Sequence, residues 1–366
     1  MRFAVRYATV TLGLSSALSP ADLLGQREPF VHPIEDIAHP REFDFWLGEW
    51  EVQVRRRQED GSWADQEKGS AHIYSILDGN AVLELWNGHA SNPSGYAFRG
   101  FSLRHYDPDS ARWVLALNWP SPDRPNFYQL TGSFRHGRGE FFVSYRDTAG
   151  VDNLVRYTFS DITPVSLRWD GGISRDGGKT WASSMIFEFT RTRDRAHWPG
   201  PGEPAPTYHD GSLCNGERFS ELDFLQGGWE GTFTPAADGT GRGRAEMTAH
   251  RVLDGCAHMS LLAYETAEGR REVFEIRSYL PQRGEWVELW LDDRPESAMQ
   301  MLAGDFEDGN LVLTEFAPRG GELPPRLSRI RWLAMEEDRA VFELGESRDA
   351  GATWRAIGRV ELRRDR

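Results

Sequence analysis

Three ionisable side chains and two indoles form the strongest chemical constellation in this sequence. Glu84 can give or take a proton, His105 titrates near neutrality, and Arg156 can counter a negative charge. Trp86 and Trp119 would supply apolar walls, the usual surroundings of a few convergent polar groups in a small-molecule pocket. Two chemistries follow. One is a partly polar cavity that orients a small hydrophobic or amphipathic ligand. The other is a Glu84–His105 acid–base pair of the isomerase, cyclase or hydrolase kind. The same residues also have a plain structural use, with Glu84 bridged to Arg156 inside the fold and His105 an ordinary strand residue.

Other chemistries lack their residues. The 10 His are scattered singly, without His-x-His, His-x₃-His or Cys-x₂-Cys spacing, so no metal site is expected. There is no Gly-x-Ser-x-Gly, P-loop or dinucleotide fingerprint, and Gly137-Arg138-Gly139 reads as a hairpin between strands. No cofactor is implied. A formal net charge of −14 disfavours a nucleic acid backbone or an anionic membrane as partner. Past the first residues no apolar run is long enough for a membrane helix.

The N-terminus has its own pattern. Arg2 and Arg6 precede an apolar run from Ala8 to Leu18, followed by Ser19-Pro20-Ala21. This predicts a signal peptide over 1–21 and export to the periplasm or medium, with 22–41 as a lead-in. Thr9, Thr11, Ser15 and Ser16 dilute the run, which leaves a disordered extension as the competing reading.

The elements that must position the candidate residues come in duplicate. Phe43-Asp44-Phe45-Trp46-Leu47-Gly48-Glu49-Trp50 returns as Leu222-Asp223-Phe224-Leu225-Gln226-Gly227-Gly228-Trp229. Ile76-Leu77-Asp78-Gly79 returns as Val252-Leu253-Asp254-Gly255, and Tyr106, Trp113 and Arg156 return as Tyr279, Trp286 and Arg329. Ser174-Arg175-Asp176-Gly177-Gly178-Lys179-Thr180-Trp181 returns as Ser347-Arg348-Asp349-Ala350-Gly351-Ala352-Thr353-Trp354. The offset drifts only from 179 residues at Trp50/Trp229 to 172 at Gly132/Gly304. A tandem duplication follows, with a first module over 42–194, a Pro- and Gly-rich linker over 195–212 and a second module over 213–366. Glu84, Trp86, His105 and Trp119 stand out because the second copy replaces them with Ser260, Leu262, Ser278 and Asp292.

Within each module the periodicity is two. Trp50, Val52 and Val54 alternate with Glu51, Gln53 and Arg55; Phe101 and Leu103 alternate with Ser102 and Arg104, and their copies Phe274 and Ile276 with Glu275 and Arg277. His105 continues the Phe101–Leu103 face, which is expected to point inward. Asp78-Gly79, Asp107-Pro108, His136-Gly137, Asp170-Gly171 and Asp308-Gly309 read as turns. About eight to ten short antiparallel strands per module must hide their edges, and closure into a barrel or a sandwich would do so.

A resemblance selects between these. Gly48-x-Trp50 and Gly227-x-Trp229 on a first strand, with Arg191 and Arg364 late in the last, resemble the calycin pattern of lipocalins and fatty-acid-binding proteins. With Leu-Asp-Gly, Tyr-Asp-Pro and the Ser-x-Asp-Gly-Gly-Lys-Thr-Trp hairpin, the chain resembles an uncharacterised bacterial family of calycin-like, nitrobindin-like barrels. The resemblance implies two tandem antiparallel β-barrels, each with its Trp plugging one end under an Arg. It also implies a Cys214–Cys256 disulfide in the second copy, two buried thiols being the alternative; Glu35 and Asn80 stand at the corresponding places of the first. Haem ligation does not carry over, since neither Met185 to Arg191 nor Ile357 to Arg364 contains a His. The hairpin matches the Asp-box of sialidase propellers too, but two occurrences 173 residues apart do not follow a blade period, so a glycan-active reading is remote.

Overall fold

The computed structural model describes residues 40–365 apart from 92–96, 119–126, 147–149, 201–202, 206–213, 215, 237–240, 295–296 and 317–325. The signal peptide expected at 1–21, most of the lead-in and Trp119 lie outside the described residues. The first module contains β1 (Gly48–Arg57), β2 (Trp63–Ile76), β3 (Ala81–Ser91), β4 (Ala97–Asp107), β5 (Arg112–Asn118), β6 (Phe127–Arg135), β7 (Arg138–Arg146), β8 (Asp152–Ser160), β9 (Ser166–Ser174) and β10 (Ala182–Arg193). The second contains β11 (Gly227–Pro235), β12 (Gly243–Val252), β13 (Ala257–Thr266), β14 (Gly269–Leu280), β15 (Glu285–Asp292), β16 (Gln300–Glu307), β17 (Asn310–Glu315), β18 (Leu327–Met335), β19 (Arg339–Ser347) and β20 (Arg355–Arg364). Each set is an antiparallel meander whose last strand pairs with its first, giving two closed ten-stranded barrels without free edges. Among the described residues no helix is long and apolar enough to cross a membrane.

One end of each barrel is sealed by duplicated contacts. A short 3₁₀ turn, Asp44–Trp46, leads into β1, and the Trp50 indole donates to the Trp46 carbonyl at 2.8 Å. The Arg191 guanidinium lies 4.1 Å from the Trp50 ring and donates to the carbonyls of Phe45 and Leu47. Trp229, Leu225, Arg364 and Phe224 repeat the arrangement, with Arg364 4.4 Å from Trp229. The Asp-box hairpins sit at the opposite end, which carries no such tryptophan–arginine plug among the described residues and is called the open end below. Asp176 accepts from the Thr180 amide and hydroxyl, and those bonds hold its carboxyl down at about 2. Asp170-Gly171, expected as a turn, lies inside β9 instead. There a Cβ on Gly171 would sit 2.8 Å from the Trp169 ring, so the glycine makes room for an indole.

The two barrels pack side by side through equivalent strands. Leu83, Leu85, Phe101, Leu103 and Ala116 of β3–β5 form one buried cluster with Met259, Phe274, Ile276, Leu289 and Leu291 of β13–β15. A buried Arg99–Asp254 ion pair at 2.8 Å, an Asn118–Ser278 hydrogen bond and an Asn80–Asp293 carbonyl bond cross the same interface. Arg99 and Asn118 lie toward the open end of their barrel, whereas Asp254 and Ser278 lie at the sealed end of theirs. The barrels are therefore antiparallel, with the open end of each beside the sealed end of the other.

The repeated Leu-Asp-Gly motif makes this contact possible. Leu253, Asp254 and Gly255 take φ of 54°, 50° and 91°, a left-handed turn that projects Asp254 at Arg99. The expected Cys214–Cys256 disulfide is formed and ties the linker end to the strand after this turn. At a sequence separation of 42, it should contribute about 4 kcal/mol. Thiol titration of the unfolded, unreduced protein should find no free thiol. Cys214→Ser with Cys256→Ser should lower stability in urea by about that amount; two titratable thiols would contradict the bridge.

Candidate functional site

Inside the first barrel, β3 and β4 bring three polar groups together beneath the sealed end. The Ser102 hydroxyl donates to Glu84 Oε2 at 2.6 Å, and Arg104 Nη2 donates to the same oxygen at 3.1 Å. The Arg104 guanidinium lies 3.9 Å from the centre of the Trp46 ring and 5.3 Å from that of Phe43. Burial lowers the Arg104 pKa to about 10, while the neighbouring Glu84 carboxylate pulls it back up. At neutral pH the Arg104 guanidinium keeps its charge.

The second barrel builds the same bridge with its residues exchanged. The Ser260 hydroxyl donates to Glu275 at 2.6 Å, Arg277 Nη1 donates to Ser260 at 3.1 Å, and Arg277 also pairs with Glu275. Glu84 and Ser102 are cross-strand partners on β3 and β4, as are Ser260 and Glu275 on β13 and β14. Carboxylate and hydroxyl have thus traded strands around an arginine that stays in place. An indole has moved likewise: Trp46 and Phe159 enclose Arg104, whereas Leu225 replaces that Trp and Trp332 of β18 lies 5.3 Å from Arg277. A further carboxylate, Glu288, bonds Arg277 Nε in the second barrel only. Burial pushes the Glu288 pKa up, opposed by Arg277 and reinforced by Glu275.

The four candidate ligand-binding residues that are described, Glu84, Trp86, His105 and Arg156, do not converge. Glu84 and Trp86 point into the barrel. His105 is only 4 % exposed but lies on the opposite face of β4, against the second barrel. The Phe101–Leu103 face is indeed buried; what buries it is the sister barrel, and Ser102 and Arg104 face the interior. Burial lowers the His105 pKa, so the ring is neutral. Arg156 is outside as well. Its guanidinium lies 4.4 Å from the Trp181 ring under the Asp-box hairpin and 3.7 Å from Glu140, and Arg329 on Trp354 repeats the stack at 4.3 Å. Glu84 therefore bridges to Arg104 rather than to Arg156.

Trp86 does belong to an aromatic assembly in the interior. Its ring lies 4.8 Å from Phe187, which lies 4.9 Å from Trp169, itself 4.6 Å from Tyr157. Gly69 on β2 clears the path, since a Cβ there would come within 2.2 Å of the Trp86 ring. The tier runs from the fully buried Trp86 to the half-buried Tyr157, and Val143 and Met185, on the same inward face, are half-buried too. It forms a floor facing the open end. Ser102, Arg104, Gly69, Tyr157, Trp169 and Phe187 were all missed as site residues. Arg104 and Arg277 carried a signal, an arginine kept at the same place of the fourth strand in both copies.

No family model matches the chain, and no curated protein matches it. Among solved structures, a protein of unknown function of the DUF3598 family from Nostoc punctiforme PCC 73102 is similar at 11% identity and TM-score 0.24, covering 88% of this chain and 97% of that one. A redesigned β-barrel is similar at 13% identity and TM-score 0.24 over 42% of this chain and 98% of its own. A designed fluorescence-activating β-barrel gives 12% and 0.22 over 40% and 94%. At these scores the likenesses carry no functional argument.

Two outcomes test the interior bridges. Glu84→Ser should destabilise by roughly 3–5 kcal/mol, because it strands a buried guanidinium. Adding Ser102→Glu, which copies the second barrel, should recover at least half of that loss in urea melts; simple additivity would contradict the exchange. Glu288 has a folded pKa above its ordinary 4.5, so its contribution is full below that pH and is lost as pH rises toward about 8. Glu288→Gln should remove that component from the stability–pH curve measured between pH 5 and 8.

Proposed function

We propose that the protein binds a small hydrophobic or amphipathic molecule at the open end of the first barrel, resting on the Tyr157–Trp169–Phe187–Trp86 floor. The observation that carries this reading is the graded burial of inward-facing aromatic side chains, which leaves apolar surface within the barrel facing its open end. Trp119 directly follows β5, which ends at the open end, and serves in this reading as a further apolar contact. Glu84 and Arg104 lie deeper and act as a neutralised base to the site. An acid–base enzyme is less well supported, because Glu84 and His105 lie on opposite faces of the sheet and cannot meet one substrate. Kinship with calycin-like barrels remains a reading of the Gly-x-Trp and arginine residues. Export after cleavage of the leader is part of the proposal, and the disulfide supports it.

Titration with 11-(dansylamino)undecanoic acid, a fluorescent amphiphile, tests the reading. Saturable binding is expected, weakened at least tenfold by Tyr157→Ala with Trp169→Ala and unchanged by His105→Ala. Absence of binding, or equal affinity in the double variant, would overturn the open-end site.

A further inference from the structure

On the outside of the first barrel, near its sealed end, the register leaves a gap. β1 begins at Gly48, opposite Ile73, so Tyr74, Ser75 and Ile76 run on past it without a partner on that side. The gap is a cleft of about 850 Å³, within the size range of small-molecule sites. Phe45, Leu47, Ile162 and Pro164 form one side, and Tyr74, Ala196 and Trp198 line it as well, the last two from the linker.

Tyr74 is the unexplained residue there. It is 3 % exposed, and its hydroxyl has no hydrogen-bond partner, an arrangement that costs free energy unless something satisfies it. Burial, reinforced by the nearby Glu49, raises its pKa, so the phenol keeps its proton and can donate. Trp198 stands perpendicular to the Tyr74 ring at 5.2 Å and is only half-buried. In the second barrel the corresponding residue is His250, which hydrogen-bonds the backbone of Pro199 and Glu203, so the linker fills that gap. The charges around the cleft offer little to an ion. Arg191 is committed to the carbonyls of Phe45, Leu47 and Pro164 and lies 3.9 Å from Asp194, Asp44 is paired with Arg41 at 2.7 Å, and the exposed Asp194 and Arg195 on the rim sum to no net charge.

We infer that this cleft is a second binding site, distinct from the open-end floor, for a planar, uncharged aromatic molecule whose acceptor atom receives a hydrogen bond from the Tyr74 hydroxyl. The Trp198 ring is the wall that yields as the molecule enters and then stacks on it. Nothing in this inference depends on the open-end reading.

Nile red is planar, uncharged and carries a carbonyl acceptor, so it serves as the probe, titrated by fluorescence into the full chain. Saturable binding is expected in the parent protein. Tyr74→Phe should weaken it about tenfold, with bound emission shifted to the blue through loss of the donated hydrogen bond. Ala196→Trp, which fills the cleft from the linker, should abolish it, with unchanged circular dichroism showing the barrel intact. Tyr157→Ala with Trp169→Ala should leave this binding unchanged. Unchanged affinity and emission in Tyr74→Phe would overturn the inference, as would no Nile red binding at all. Binding lost only in the Tyr157/Trp169 variant would overturn it while leaving the open-end site standing.

Discussion

A strand buried on both faces has no solvent side, so every charge on it must be answered within the protein. β3, β4 and β5 are in that position, with one face lining their barrel and the other covered by β13–β15. The consequences run through the molecule. Glu84 and Arg104 on the inner face need each other, and Arg99 on the outer face needs Asp254 from the neighbouring barrel. His105, shut into the same interface, stays neutral. Because each barrel offers the equivalent face, the two meet in antiparallel fashion and their open ends point opposite ways.

The same constraint decides what could be read from the sequence. The duplication, the tryptophan–arginine seals and the Asp-box hairpins were legible because each uses residues close in sequence or kept in both copies. β1 was legible too, since its outer face is less buried and its alternation is clean. Alternation failed at β3 and β4. Leu83, Leu85 and Trp86 are apolar on both faces, and at β4 Phe101 and Leu103 mark the interface while Ser102 and Arg104 mark the interior. No local pattern separates burial against a sister barrel from burial inside one.

Comparing the copies position by position also misled. Glu84 looked unique because Ser260 replaces it, yet Glu275 restores the carboxylate from the neighbouring strand. Trp46 and Leu225 differ in the same way, with Trp332 supplying the indole from β18. What the duplication keeps is the composition of the cage around a buried arginine, in which side chains from adjacent strands are interchangeable. The real differences lie elsewhere. Glu288 adds a further buried carboxyl group to the second barrel, and the gap beside β1 stays open in the first while the linker fills its counterpart.

The Arg99–Asp254 pair is the most specific contact of the shared face. A double-mutant cycle with Arg99→Met and Asp254→Asn, read from urea unfolding, measures that contact across the two barrels. Each single change should be strongly destabilising and the double change much less than their sum, with a coupling energy above about 1.5 kcal/mol. Additivity within about 0.5 kcal/mol would mean the residues do not meet, and the barrels do not share this face.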